Sequence, residues 1–267
     1  MKRFLKKIIP KSVRHATYPV RERIARIPLN FRADWRAFWR IAVNDEILSD
    51  LLPFEKRVCS QNGEDGIISA IFTRIGATNK YFVEFGVEDG KVCNTRLLRR
   101  RGWNGLQMDP ADDKDGFVKK EFITAENVES LFTKYEVPEE PDLLSLDIDG
   151  NDYWVWKAIS RFSPRVIIIE YNATIPPQEP KTIKYDPEFR WDRTDYFGAG
   201  LGALVKLGRK KGYTLVGVNS NGVNAFFVRD DLIEGNFAPK PAEELFRPFG
   251  PPHTDPPHAD GRNWETV

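Results

Sequence analysis

The feature that most constrains this chain is an apolar strand that ends in an acid and runs straight into a glycine turn, Tyr81-Phe-Val-Glu-Phe-Gly-Val-Glu-Asp-Gly90. About twenty residues later a second strand, Gly105-Leu-Gln-Met-Asp109, also ends in an acid. In open α/β sheets, glycines after the first strand let the backbone approach a ligand, and a carboxylate after the second holds ribose hydroxyls. From residue 60 onward strands and helices alternate, which predicts a parallel sheet covered on both faces.

Spacing then selects the ligand. A dinucleotide site needs G-x-G-x-x-G to seat a pyrophosphate at a helix N-terminus. Here the pattern is Glu84-x-Gly86-x-x-x-Gly90, with Glu88 and Asp89 inside the loop. Two carboxylates repel a pyrophosphate, whereas they favour the ammonium and sulfonium of S-adenosylmethionine (SAM). The residues read as a SAM site.

At 267 residues the chain has room for one large α/β domain with extensions. Its 41% hydrophobic and 30% charged residues fit a soluble globular protein. The net charge of +1 hides an asymmetry. Residues 1–40 hold 12 Lys/Arg against Glu22 and Asp34, leaving 28 basic and 37 acidic residues in the remainder. The sequence therefore divides into a basic amphipathic helical arm (1–50), a catalytic domain (51–237) and a Pro-rich tail (238–267) that reads as poorly packed. In the arm, Phe4, Leu5, Ile8 and Ile9 share one helical face, and Trp35, Phe38 and Trp39 share another. Such a stretch, residues 1–40 above all, packs on its own domain or a partner subunit, or lies on an anionic membrane surface. No nucleic acid is expected as a partner, because the body is acidic and no recognition module is present. No segment is long or apolar enough to span a bilayer, and Pro10 and Lys11 spoil a signal peptide. Cys59 and Cys93 make no disulfide framework and read as small buried residues or reduced thiols in a cytoplasmic protein.

Within the domain the pattern predicts helices at 62–75, 94–101, 126–135, 153–160 and 200–211. Strands are predicted at 81–86, 105–109, 119–124, 142–147 and 165–170, with a closing hairpin at 213–218 and 223–228 around Asn219-Ser-Asn-Gly222. Thr124 is offered as the cap of the third helix. Residues 173–198 are rich in proline and aromatics without a clear period, as a lid or binding loop would be.

A series of segments resembles the FkbM-type branch of the class I SAM-dependent methyltransferases. They are Ser60-Gln-Asn-Gly-Glu-Asp-Gly66, Phe82-Val-Glu-Phe-Gly-Val-Glu-Asp-Gly90, Asn94-Thr95, Gly102-Trp-Asn-Gly105, Phe122-Ile-Thr-Ala-Glu-Asn127, Leu146-Asp-Ile-Asp-Gly150, and Gly212-Tyr-x-Leu-Val with Asn224-Ala-Phe-Phe-Val228. They run in the family's order over roughly residues 58–230, and no single motif carries the resemblance. It implies a Rossmann-like α/β fold: a seven-stranded, mostly parallel sheet of order 3-2-1-4-5-7-6, strand seven antiparallel. It also implies O-methylation of a hydroxyl, on a sugar or glycan of surface polysaccharide or lipid-linked type, or on a small-molecule natural product. Carried over residue by residue, Glu84 organises the loop and Gly86 and Gly90 admit the methionine moiety. Asp109 accepts the ribose hydroxyls, where many members have the longer Glu. Ile123 and Thr124 line the adenine edge. Glu64, Asp65, Asn94 and Thr95 approach the amino-acid end, and Asp147 faces the cofactor.

The proton of the acceptor hydroxyl needs a destination. The chain's three histidines, at 15, 253 and 258, all lie outside the predicted domain, so the base is expected to be a carboxylate. Asp147 and Asp149 end the fourth strand two residues apart, Asp152 follows a glycine, and Glu170 ends the neighbouring strand. Asp147, Asp149 and Asp152, with Glu170 beside them, form a candidate Mg²⁺ site that would acidify a bound hydroxyl. The competing readings are Asp147 or Asp149 as direct base, Asp149 or Asp152 as a helix cap, and catalysis by proximity alone. Trp154 and Trp156 read as packing. Tyr171 and Asn172 reach the acceptor or the core equally well, and Tyr185, Phe189, Trp191 and Tyr196 stack on sugar or hold the loop down. Two rival functions remain: a non-catalytic interaction protein of the same fold, and a nicotinamide-dependent oxidoreductase.

Overall fold

The computed structural model describes residues 47–111, 116–248 and 261–267. Most of the basic arm, and with it the reading of residues 1–40 as a membrane or subunit contact, lies outside the described residues. The central sheet has seven strands: β1 (Tyr81–Phe85), β2 (Asn104–Asp109), β3 (Val118–Lys120), β4 (Leu143–Leu146), β5 (Val166–Glu170), β7 (Tyr213–Val218) and β8 (Asn224–Arg229). The strand β6 (Lys181–Ile183) pairs apart from it with β9 (Trp264–Thr266). The sheet order is β3-β2-β1-β4-β5-β8-β7, and β8 alone runs antiparallel to its neighbours. Counted within the sheet, that is the order 3-2-1-4-5-7-6 expected from the sequence.

Period-two alternation builds two cores. Phe82, Leu143, Val166, Ile168, Phe226 and Val228 face one layer, while Val83, Phe85, Leu144, Leu146, Ile167, Ile169 and Phe227 face the other. The first layer is closed by Ile67, Ile68 and Ile71 of α1 (Glu64–Ile75) and Leu98 of α2 (Arg96–Arg100). The second is closed by α3 (Val128–Lys134), α4 (Asp152–Ala158) and α5 (Leu201–Lys211), with Leu245 of the short α6 (Ala242–Leu245) behind them. The crossovers change face between β1 and β4, so a crevice opens at the carboxyl ends of those two strands.

Two local expectations are corrected. The third helix starts at Val128, not 126, because Asn127 rather than Thr124 organises its entry. Asn127 Oδ1 accepts from Thr124 N at 2.8 Å while its Nδ2 donates to Phe122 O at 2.8 Å. The end of the tail is well packed. Residues 264–266 form β9, Tyr196 donates to Asn263 O at 2.9 Å, and Arg262 pairs with Asp192 at 2.8 Å. Helical period and strand alternation are local signals, whereas a three-residue strand pairing across eighty residues leaves almost none. No described helix is long and apolar enough to cross a membrane.

Candidate active site

The loop after β1 is held by the strand's own acid. Glu84 is buried, and its carboxylate accepts from Asn94 N at 2.7 Å, Thr95 N at 3.1 Å and the Thr95 hydroxyl. Gln107 of β2 ties the same cluster, donating to Glu84 at 3.2 Å, Thr95 Oγ1 at 3.0 Å and Cys93 Sγ at 3.1 Å. Burial raises the Glu84 carboxyl above its ordinary range, and these hydrogen bonds oppose the rise. Burial, aided by the Glu84 charge, pushes the Cys93 thiol far up, so it is an inert packing residue.

Gly86 adopts φ +69°, and a Cβ there would lie 1.5 Å from the Asp147 carbonyl oxygen. The β1 and β4 loops therefore meet backbone to backbone, which only glycine permits. Gly90 also has positive φ and sits over Val118 and Gln107. Asp109, at the end of β2, accepts from Glu88 N at 2.8 Å and Ala111 N at 2.7 Å. A carboxylate has about four acceptor positions, so lone pairs remain at Asp109 for the hydroxyls of a ligand.

Glu64 and Asp65 share a turn of helix but not a task. Asp65 Oδ2 accepts from the N–H groups of Val58, Cys59 and Ser60 at 2.7–2.8 Å, which fixes the loop before α1. Glu64 Oε1 accepts from Asn219 and Asn224, each at 3.0 Å, and Oε2 from Asn62 N at 2.9 Å. Neither Gln107 nor the Asn219–Asn224 pair was singled out from sequence. The available signal was an asparagine opening the otherwise apolar strand Asn224-Ala-Phe-Phe-Val, directly opposite Glu170.

The acids after β4 converge as a group with Glu170. One carboxylate oxygen each from Asp147, Asp149 and Glu170 lie within 4.8 Å of one another. Asp152 stands beside this trio without joining it: its oxygens accept from Ile148 N at 2.9 Å and Gly150 N at 3.0 Å, bracing the turn before α4. The trio is crowded. Burial first, then the charges of Asp152 and Asp149, raise Asp147 well above the carboxylate range. Burial first, then the charges of Asp147, Asp152 and Asp149, raise Glu170, whose Oε2 is buried without a hydrogen-bond partner. Asp149 is raised by burial and by Glu88 and Asp109, which places the β1 loop and the β2 acid beside it. Asp152 is pushed up to about 6, chiefly by burial. Glu88 and Asp149 both take left-handed backbone, with φ of 49° and 56°. Such strain in residues other than glycine gathers where a ligand has to be met.

Ile123 is buried in the core and Thr124 half-buried beside it, both following β3 on the carboxyl-end rim of the sheet. The 173–198 insertion lies across the same rim. Tyr185 bonds Glu126, Asn151 Nδ2 donates to Asp186 O at 2.8 Å, and Trp154 Nε1 donates to Ile183 O at 2.9 Å. The Phe189 ring covers Gly150. Trp191 Nε1 donates to Thr194 O at 2.8 Å, so the insertion's aromatics hold it down. Trp156 is buried against Phe227 and Tyr213. Tyr171 donates to Arg247 O, and Asn172 to the Asp195 and Phe197 carbonyls, so both serve the framework. A cavity of about 280 Å³ at the opposite end of the sheet is lined by Lys211, which donates to Ile159 O, by Tyr213, which donates to Pro164 O, and by Trp156, whose buried Nε1 has no hydrogen-bond partner.

No family model and no curated protein matches the chain. Among solved structures, the crystal structure of TnmH is similar over 55% of this chain and 49% of its own, at 14% identity and a TM-score of 0.33. The chain thus spans about half the length of that structure.

Proposed function

We propose that the protein is a SAM-dependent O-methyltransferase of the FkbM type acting on a hydroxyl of a sugar or glycan. The observation that carries this reading is the gathering of carboxylates around the switch-point crevice. Glu64, Glu88, Asp109, Asp147, Asp149 and Glu170 reach it from five segments, and Glu170 Oε2 and Asn224 Oδ1 are buried acceptors without a partner. A lining of oxygens suits a cationic ligand, and it opposes a pyrophosphate. SAM supplies a methyl group on a sulfonium, an electrophile that needs no further activation. Glu84, through Asn94 and Thr95, holds the loop that would receive the methionine end, and Asp109 would hold the ribose.

The residues suited to the acceptor's proton are Asp147 and Glu170. Their raised pKa values bring a carboxylate closer to neutral pH, where a general base is most effective. The same trio, Asp147, Asp149 and Glu170, fits Mg²⁺ by its hard oxygen donors, and a bound ion would neutralise their mutual repulsion and acidify a coordinated hydroxyl. Of the four acids that the sequence offers for the ion, Asp152 is the one whose oxygens are already engaged by backbone N–H groups. A lipid-linked or polysaccharide acceptor at the cytoplasmic face agrees with the basic arm at residues 1–40.

The test is calorimetric titration of wild type and Asp109→Ala with S-adenosylhomocysteine, with and without Mg²⁺. Micromolar binding to wild type, weakened about tenfold or more in the variant, supports the cofactor site. A folded wild-type protein that releases no heat in either buffer overturns the reading in favour of a non-catalytic member of the fold.

A further inference from the structure

Among the described residues, five large hydrophobic side chains remain exposed: Ile47, Val58, Val92, Phe117 and Trp191. Three of them gather around the outer face of α2. Leu97 and Leu98 bury the inner face of that helix, which leaves Arg96, Arg99 and Arg100 outside. Each arginine reaches the segment bearing one apolar tip. Arg96 donates to Lys91 O, beside Val92. The Arg99 guanidinium donates to the buried Gln107 Oε1 at 3.1 Å and stacks 4.5 Å above the Phe117 ring, which leaves Arg96, Arg100 and Arg57 as the cations free to meet a headgroup. Arg100 approaches Cys59 Sγ at 3.5 Å, beside Val58. Phe117 is 61% exposed and Val92 53%, values that a side chain with a structural task rarely keeps. Arg57 adds a further exposed cation, while Asp89 and Lys91 neutralise each other at 2.6 Å.

We propose that this face, α2 with the tips Val58, Val92 and Phe117, is a docking surface for an anionic lipid bilayer. The apolar side chains stand on separate segments with cations between them. A headgroup layer needs no groove: apolar tips enter it singly while arginines meet lipid phosphates. The charge complementarity is local, because the described remainder of the domain is not basic. Docking here would seat the β1 loop, and with it the mouth of the crevice, at the lipid surface. The proposal stands whether or not the protein transfers methyl groups.

The experiment uses the full chain, so that the basic arm is present throughout. An environment-sensitive fluorophore is attached to Val92→Cys in a Cys59→Ser background; the buried Cys93 stays unlabelled. Sedimentation and emission are followed with phosphatidylcholine vesicles and with vesicles containing roughly a third phosphatidylglycerol. The expected result is co-sedimentation and a blue shift with the anionic vesicles only. The triple variant Val58→Ser, Val92→Ser, Phe117→Ser, altered only at exposed positions, should lose about tenfold or more in partitioning. Co-sedimentation without a blue shift, with the triple variant binding like wild type, would mean that the arm alone holds the membrane and would overturn the proposal. So would an equal shift on neutral vesicles, no binding to either vesicle, or a shift that grows with protein concentration alone, which would mark a contact between two copies.

Discussion

Asp142 and Asp147 flank the same strand, β4, and meet opposite surroundings. At its amino end, Asp142 is fully buried and accepts from the N–H groups of Thr78, Asn79 and Lys80, from the Thr78 hydroxyl, and from Arg165 at 2.7 Å. At its carboxyl end, Asp147 meets Asp149, Asp152 and Glu170, and burial with like charge drives its pKa up. The difference teaches where the molecule stores order and where it stores strain. One acid is saturated with donors and fixes loop, strand and neighbouring strand together. The other sits in a field that only a cation or a proton relieves.

The largest effect that could break this contrast is Asp142→Ala, which leaves the buried Arg165 guanidinium unpaired. It should cost about 3–5 kcal/mol in urea unfolding. A cost below about 1 kcal/mol would mean the amino end is not the anchor described. Next comes Gly86→Ala, whose Cβ cannot coexist with the Asp147 carbonyl. We expect a loss of roughly 2–3 kcal/mol together with loss of S-adenosylhomocysteine heat, because the two loops must part. Retained binding would show that their contact is dispensable.

The contrast is sharpened by a substitution in the opposite direction. Asp147→Asn should stabilise the ligand-free protein, raising Tm by about 2–4 °C at neutral pH, while it impairs function. The pH dependence has a definite sign. Folded pKa values above the unfolded ones mean the native state binds more protons, so the cluster's contribution to stability is complete below about pH 4. It falls as pH rises through about 6 at Asp152, and further at Asp147 and Glu170. Tm measured from pH 5 to 8 without ligand should therefore decline more in wild type than in Asp147→Asn; parallel curves would remove the argument. The smallest expected effect belongs to Trp154→Phe, which deletes the hydrogen bond to Ile183 O. It should cost about 1 kcal/mol and speed proteolysis within 173–198, with the sheet unaffected.

What was legible in the sequence follows the range of the forces involved. β5 reads directly from Arg165-Val-Ile-Ile-Ile-Glu170, because a strand buried on both faces must be continuously apolar. The glycine loop and the acids at 84, 109, 147 and 149 read from spacing within single strand–turn units. Their division of labour did not. Asp65 and Glu64 are adjacent in sequence, yet one binds its own loop and the other binds asparagines more than 150 residues away. Asp152 and Glu170 were both visible as acids near the site. Only the backbone at Ile148 and Gly150 decides that Asp152 engages its oxygens outside the trio. Long-range pairing of short strands, as between β6 and β9, has no sequence period to betray it.

That pairing divides what would be one long excursion. β6 is flanked by β9 on one side and, through the bridge of Thr182 with Ala199 and the bond from Gly200 N to Lys181 O, by residues 198–200 on the other. The pairing shortens the stretch of the insertion left without backbone partners, and because closure entropy grows only slowly with loop length, the long return to β9 adds little to its cost. It also makes the insertion and residues 261–267 one cooperative opening unit. Exchange of the backbone amides at Ile183 and Val267 should therefore rise and fall together, and any ligand bulky enough to displace the insertion would have to open both halves of that clasp.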